Sequence, residues 1–224
     1  MKTPSPRPPN TLLGVLMLDT RFPRVPGDAG HPGAFGVPVR HTVVQGASPR
    51  RVVREQDPAL LRPFVDAARR LVDEGVTALT TSCGFLVQFQ RELQASVPVP
   101  VWTSSLLKLP ELRRPGVVTV DAASLGVAQL RAAGADPATP VEGLAPGCAF
   151  QRTLLDDLPD LDTAAAEREV VAAALRLVAR EPAIDAVVLE CTNMPPYADA
   201  VARATGRPVH HLISLVRERL KDLA

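Results

Sequence analysis

The chain has 224 residues and carries 25 lysines and arginines against 24 aspartates and glutamates, which gives a formal net charge of +1. This length fits one large domain or two small ones, and the near-neutral charge gives no electrostatic basis for binding nucleic acid or an anionic membrane. No run of residues approaches the roughly 20 apolar positions that are needed to span a bilayer.

The first half of the chain alternates predicted strands and helices. The N-terminal residues 1–10 contain four prolines and no apolar stretch, so we expect a disordered leader and not a signal peptide. Asp57 followed by Pro58 is a typical helix start, and Gly75 is a typical helix end. In chain order, the predicted elements are strands at 12–18 and 41–44, a helix at 57–75, a strand at 76–81, a helix at 86–94 and a strand at 99–102.

The second half repeats this alternation. Its predicted elements are a strand at 117–120, helices at 124–133 and 162–180, a strand at 186–189, a helix that contains Pro195 and ends before Gly206, a strand at 209–211 and a helix at 214–223. Strands that alternate with helices predict an α/β fold in which the sheets are parallel. We therefore expect two α/β lobes.

An internal duplication relates the two halves. Residues 76–83 and 184–191 are both apolar, β-branched runs that end in a cysteine, and the offset between them is 108 positions. Residues 14–19 (Gly-Val-Leu-Met-Leu-Asp) are also similar to residues 116–121 (Gly-Val-Val-Thr-Val-Asp), at an offset of 102 positions. Each half therefore offers one thiol at the end of a strand, and the two thiols are in position to act on either side of one small molecule.

Four polar or reactive residues end predicted strands, namely Asp19, Cys83, Asp121 and Cys191. Ligands of parallel sheets gather outside the carboxyl ends of the strands, so we expect these side chains to share one rim. Each cysteine also begins a helix, where backbone N–H groups are expected to lower the pKa of its thiol. The alternative is that buried cysteines only fill space, which is how we interpret Cys148, because it has no counterpart in the repeat.

Short polar residues flank the two cysteines and are either helix caps or substrate donors. Asp19 and Asp121 are either orienting groups or solvated loop residues, and at most one of His210 and His211 faces the cleft. Three cysteines are an odd number for a disulfide framework, which indicates a reducing, cytoplasmic setting. A zinc site is not expected, because the sequence has no pair of closely spaced cysteines with ligand-like histidines.

The chain resembles the aspartate/glutamate racemase superfamily, which includes hydantoin racemases and relatives that isomerise maleate or decarboxylate arylmalonates. The resemblance covers residues 14–216 and depends on the two strand-to-cysteine units, on residues 116–119 and above all on residues 190–195 (Glu-Cys-Thr-Asn-Met-Pro). It implies a reaction without cofactor or metal in a cleft between two pseudo-symmetric flavodoxin-like lobes. One lobe would contain residues 11–108 and 209–224, the other residues 109–208, and the protein would form a homodimer.

The resemblance also implies roles for individual residues. Cys83 and Cys191 become the two acid/base thiols that act on a small carboxylate substrate. The implied substrate-binding residues are Asp19, Thr81, Ser82, Gly84, Thr119, Thr192 and Asn193. The expected function is that of a racemase or epimerase, an isomerase of amino acid metabolism.

Departures from the family pattern leave alternatives open. Gly84 and Phe85 follow the first thiol where amino acid racemases usually have Asn-Thr, and Asn193 stands where His or Glu is common. We therefore expect a larger or less polar substrate, with the loop at 21–36 shaping the preference and Arg21 or Arg24 as carboxylate partners. The alternatives are an isomerase or decarboxylase that uses mainly Cys191, or a non-catalytic protein that binds a small carboxylate.

Overall fold

The computed structural model describes residues 11–223, so the predicted leader at 1–10 lies outside the described residues. Within this range the chain forms eight strands and seven α-helices. The strands are β1 (Leu13–Leu18), β2 (Val39–Val44), β3 (Ala78–Thr81), β4 (Val101–Trp102), β5 (Pro115–Thr119), β6 (Val141–Gly143), β7 (Ala186–Leu189) and β8 (Val209–His211). The helices are α1 (Leu61–Asp73), α2 (Gln90–Ser96), α3 (Val127–Ala132), α4 (Ala149–Leu155), α5 (Thr163–Arg180), α6 (Ala198–Thr205) and α7 (Leu212–Asp222).

The strands form two parallel sheets of four strands each, in the orders β2-β1-β3-β4 and β6-β5-β7-β8. The two orders are equivalent under the internal duplication, because β3 and β7 are offset by 108 positions and both pair with the central strand of their sheet. The predicted α/β class with two pseudo-symmetric lobes is confirmed.

Strand β1 is buried on both faces, as its uninterrupted apolar sequence predicts. Leu16 and Leu18 point into a core that runs through both lobes, whereas Leu13 and Val15 pack with residues of α7 on the other side of the sheet. This alternation follows from the two-residue period of a strand. The C-terminal helix therefore covers the outer face of the first sheet.

Two equivalent glycines let a helix approach each central strand closely. A Cβ atom on Gly14 of β1 would lie 2.6 Å from a Leu79 methyl and 3.1 Å from a Leu71 methyl. A Cβ atom on Gly116 of β5 would lie 2.9 Å from a methyl of Ile184 and 3.0 Å from one of Leu177. A Cβ atom at either position would force these methyl groups to shift, and the equivalent contacts show that the duplication extends to the packing of the core.

The boundary between the lobes differs from the predicted one at its C-terminal side. Strand β8 was assigned with residues 209–224 to the first lobe, but it pairs with β7 in the second sheet. Only α7 returns to the first sheet. Strand β6 and helix α4 were not predicted from the sequence. No helix within residues 11–223 is long and apolar enough to cross a membrane.

Candidate active site

The carboxyl ends of β3 and β7 meet where the two lobes join. Ser82 and Cys83 follow β3, and Glu190 and Cys191 follow β7 at the equivalent positions. The Thr192 hydroxyl donates a hydrogen bond of 2.6 Å to the backbone oxygen of Ser82. The two cysteine segments are therefore linked directly across the lobe boundary.

Both thiols line one cavity of about 30 Å³. A water molecule needs about 10–15 Å³ by this measure, so the cavity has room for about two water molecules. The lining has a polar part (Ser82, Cys83, Gly84, Glu190, Cys191, Thr192 and Asn193) and an apolar part (Leu18, Phe22, Pro49, Val53, Phe85, Val120, Leu154 and Leu155). Helix α4 and the turn at Arg50–Arg54 help to form the apolar part.

The two cysteines are buried thiols in this conformation. Burial and, to a smaller extent, the charge of Glu190 raise the pKa of Cys83 to about 12, against opposing contributions from the Phe85 and Leu86 N–H groups and from Arg24. Burial and the same carboxylate raise the pKa of Cys191 well above its ordinary value. The predicted lowering of the thiol pKa is wrong for the empty site, because desolvation outweighs the N–H groups at the helix start.

Cys191 is oriented by a chain of polar side chains from the loop after β1. Its Sγ donates to Asn193 Oδ1 at 3.6 Å, and Asn193 Nδ2 donates to the buried carboxylate of Asp28. Asp28 in turn accepts a hydrogen bond of 3.2 Å from Arg24 Nη1. The loop itself is fixed to the second lobe by the N–H of Ala29, which donates to the Thr192 backbone oxygen at 3.1 Å.

Glu190 places a carboxyl group in the polar wall between the two cysteines. Glu190 is fully buried, and its Oε2 accepts a hydrogen bond of 2.7 Å from Thr119 Oγ1. Its Oε1 accepts no hydrogen bond from any residue within 11–223. Burial raises the pKa of Glu190 to about 7, and the Thr119 hydroxyl opposes this rise. The group therefore ionises close to neutral pH.

Four of the predicted substrate-binding residues line the cavity, namely Ser82, Gly84, Thr192 and Asn193. The hydroxyls of two of them are already engaged, because Ser82 Oγ accepts the N–H of Leu18 at 2.9 Å and Thr192 binds across the lobes. A ligand would therefore meet mainly the thiols and backbone atoms of this wall, and the Glu190 carboxyl group is buried behind it.

The other three predicted binding residues lie beside the cavity and support it. Thr81 Oγ1 lies within hydrogen-bond distance of the Thr103 backbone oxygen, at 2.7 Å, and Thr119 binds Glu190. The Asp19 carboxylate accepts the N–H of Gly46 at 3.0 Å, so it fixes the turn after β2. Among the described lining residues none of these three is included.

The remaining candidates also have structural partners. Asp121 accepts hydrogen bonds from Ala123 N and Ser124 Oγ, and His211 Nδ1 accepts the N–H of Ser214 at the start of α7. Arg21 is largely exposed and pairs with Asp157 of the second lobe. Within residues 11–223, no three histidine, cysteine, aspartate or glutamate side chains are grouped closely enough to hold a metal ion.

Sequence reasoning gave no role to Glu190 or Asp28. A signal for Glu190 was present, because an acidic residue ends an otherwise apolar strand directly before a cysteine. Asp28 lies in the long Pro/Gly-rich loop, whose path the sequence pattern does not predict. Its role depends on contacts with residue 193, which is 165 positions away.

No protein-family model matches the chain. A dimethylsulfoniopropionate lyase of Durusdinium sp. clade D is 32% identical over 233 residues, which cover 95% of this chain and 76% of that protein. The chain belongs to the dimethylsulfoniopropionate lyase family. Dimethylsulfoniopropionate lyases 7 and 3 of Emiliania huxleyi (strain CCMP1516) are also 32% identical, and the matches cover 90% and 94% of this chain. The chain spans only 64% and 59% of these two relatives.

Membership of this lyase family corrects the predicted enzyme class. An isomerase was expected from the two equivalent thiols, but the relatives that match most of the chain are named lyases.

Comparison with solved structures shows the fold. Allantoin racemase from Pseudomonas fluorescens superposes with a TM-score of 0.63 at 17% identity and covers 95% of this chain and 90% of its own. Arylmalonate decarboxylase gives a TM-score of 0.59 at 17% identity, with coverages of 88% and 86%. A putative Asp/Glu racemase from Yersinia pestis gives 0.59 at 10% identity, with coverages of 95% and 98%. The family fold is therefore that of the aspartate/glutamate racemase superfamily, as the sequence motifs predicted.

Proposed function

We propose that this protein is a carbon–sulfur lyase that splits dimethylsulfoniopropionate into dimethyl sulfide and acrylate. The observation that carries the proposal is that both thiols of the duplicated segments line one cavity, in a chain that is 32% identical to lyases named for this substrate. The substrate is a propionate with a dimethylsulfonio group on the carbon next to the α-carbon. A base that removes the α-proton therefore starts an elimination.

The proposed step balances with one base and no external acid. The thiolate of Cys191 takes the α-proton, the electron pair of that C–H bond forms the new carbon–carbon double bond, and the C–S bond breaks with its electron pair on sulfur. Dimethyl sulfide leaves as a neutral molecule, and Cys191 must pass its proton to water before the next turnover. Cys191 is assigned this role because its thiol is the one oriented by the chain through Asn193 and Asp28.

The substrate itself helps to form the thiolate. In the empty cavity burial keeps both thiols protonated, but a sulfonium cation next to them favours the charged form of a thiol. Arg24 is the proposed partner of the substrate carboxylate. Its positive charge already acts on Cys83, and its Nε has no hydrogen-bond partner within the described chain.

The test is to incubate the protein with dimethylsulfoniopropionate and to measure dimethyl sulfide by gas chromatography and acrylate by proton NMR. Cys191→Ser should lower turnover about 10²–10⁴-fold, the usual contribution of general acid–base catalysis. Cys148→Ser is the matched control, because this third cysteine lies outside the cavity lining and its loss should leave turnover unchanged.

The same experiment with Cys83→Ser distinguishes the roles of the two thiols. We expect a smaller loss than for Cys191→Ser, since the elimination needs one base. Equal turnover of the unsubstituted protein and Cys191→Ser would contradict the assigned base. Absence of dimethyl sulfide from folded, unsubstituted protein would contradict the proposed reaction.

A further inference from the structure

Glu190 is a buried carboxyl group that the proposed elimination does not use. It lines the cavity beside both thiols, it is fully buried, and its charge raises the pKa of both Cys83 and Cys191. A carboxylate at this position opposes formation of the proposed catalytic base, so the elimination alone gives it no role.

The structure makes room for this carboxyl group at Gly84. A Cβ atom at position 84 would lie 2.5 Å from the Glu190 backbone oxygen and closer still to Oε1. Only glycine fits at position 84, so the backbone of the first cysteine segment packs directly against Glu190 of the second segment. The remaining oxygen, Oε1, accepts no hydrogen bond from the described residues and is the unsatisfied polar atom of this wall.

The charge of Glu190 is also uncompensated. Burial and the Thr119 hydrogen bond are the influences that shift its pKa, and among residues 11–223 no lysine, arginine or histidine forms an ion pair with it. The other buried carboxylate nearby, Asp28, is paired with Arg24 and also accepts hydrogen bonds from Asn193 and the Gly30 N–H. The cavity therefore carries one negative charge that lacks a partner whenever Glu190 is ionised.

We propose that the Glu190 carboxylate recognises the cationic end of the substrate and makes the cavity selective for zwitterionic sulfonio or ammonio carboxylates. This inference rests on the proposed lyase function and names the group that selects its substrate class. A sulfonium centre has no N–H group to donate, so it is attracted by charge alone, and the uncompensated Glu190 carboxylate buried behind the cavity wall supplies that charge.

The role assigned to Glu190 is ground-state recognition and not proton transfer. The positive charge disappears as the C–S bond breaks, so the carboxylate attracts the bound substrate more strongly than the transition state. Loss of the charge should therefore raise KM for dimethylsulfoniopropionate more than it lowers kcat. A merely structural role would lower the amount of folded enzyme and leave KM unchanged.

The decisive experiment measures binding of two unreactive analogues by isothermal titration calorimetry. One is the trimethylammonio analogue of the substrate, and the other is its tert-butyl analogue, in which a neutral carbon replaces the charged atom. The unsubstituted protein should prefer the cation at least about tenfold, as expected for a close charge pair. Glu190→Gln should bind both analogues equally within about threefold, whereas the exposed Glu92→Gln control should keep the preference.

A second variant protects the test against a folding failure. Glu190→Ser places at position 190 the residue that occupies the equivalent position 82 of the first half, and it should lose the preference as Glu190→Gln does. Equal binding of both analogues by the unsubstituted protein would overturn the inference, and so would a preference that survives both substitutions. A Glu190-dependent preference in a protein that releases no dimethyl sulfide would support cation recognition and refute only the proposed reaction.

Discussion

The two cysteine segments have equivalent backbones but unlike side chains. Residue 82 of the first half is a serine whose hydroxyl accepts the Leu18 N–H, and residue 190 of the second half is a glutamate with one free carboxyl oxygen. Residue 84 is a glycine that leaves space, and residue 192 is a threonine that binds the Ser82 backbone oxygen. Each segment therefore contacts the other through a residue that its own counterpart lacks: Gly84 leaves space for Glu190, and Thr192 donates to Ser82.

This difference shows that two segments with equivalent backbones can present different chemical groups on the two sides of one cavity. Inversion of a carbon centre needs an acid opposite the base, and two equal thiols would serve it. The proposed elimination removes one proton and returns none to that carbon, so it assigns different tasks to the two sides of the cavity. The asymmetry between residues 82 and 190 is consistent with the lyase family to which the chain belongs.

Among the predictions, Gly84→Ala should have the largest effect, because it disrupts the packing of the first segment against the second. The added methyl group would meet the Glu190 backbone oxygen, which cannot rotate away, so we expect a loss of about 3 kcal/mol or more in the free energy of unfolding, at the upper end of overpacking. Urea denaturation measures this loss. Gly33→Ala is the matched control, because its Cβ would lie 3.4 Å from the His31 ring and should be tolerated. Equal stability of both variants would show that the segments are not closely fitted.

The second prediction removes the charge that distinguishes the segments. The pKa of Glu190 is raised to about 7 in the folded protein, so its contribution to stability is complete below its unfolded pKa of about 4.3 and is lost as the pH rises through about 7. Glu190→Gln has no such loss. Relative to the unsubstituted protein it should gain roughly 2–3 kcal/mol between pH 5 and pH 8, since each pKa unit is worth about 1.4 kcal/mol.

Chemical denaturation of both proteins at the two pH values tests this second prediction. Other titrating groups contribute equally to the two proteins, so the difference isolates Glu190. Among its neighbours the thiols of Cys83 and Cys191, whose pKa values are raised, remain protonated throughout this range. A difference between the proteins that does not change with pH would mean that Glu190 does not titrate there.

The smallest expected effect comes from the bond that joins the two segments. Thr192→Val removes the hydroxyl that donates to the buried backbone oxygen of Ser82, which should lower the free energy of unfolding by about 1–2 kcal/mol. Thr192→Ser keeps the donor and should retain most of the stability. If the valine variant were as stable as the serine variant, the contact between the segments would contribute nothing measurable.

The repeated features were the predictable part of this molecule. Central strands with continuous apolar runs, helices with clear start and end residues, and cysteines at equivalent strand ends are all encoded locally, and the structure contains them. The packing of Leu71 against Gly14 repeats as Leu177 against Gly116, which is why motif spacing was a good guide to the fold.

The unpredicted part depends on contacts between distant residues. The direction of the Glu190 side chain is decided by space at Gly84, 106 positions away in the chain, and the role of Asp28 by Asn193. The thiol pKa values were predicted in the wrong direction, because the helix starts are visible in the sequence but the depth of burial is not. The enzyme class was also wrong, since the same paired thiols suit both inversion and elimination.

The burial of the two cavity thiols has a consequence for their oxidation. Oxidants and alkylating reagents act on exposed thiolates, and Cys83 and Cys191 offer neither exposure nor a lowered pKa. Cys148 is less deeply buried, so peptide mass spectrometry after brief iodoacetamide treatment should find label at Cys148 first. Burial in the fold thus protects both cavity thiols from oxidation, although neither takes part in a disulfide bond.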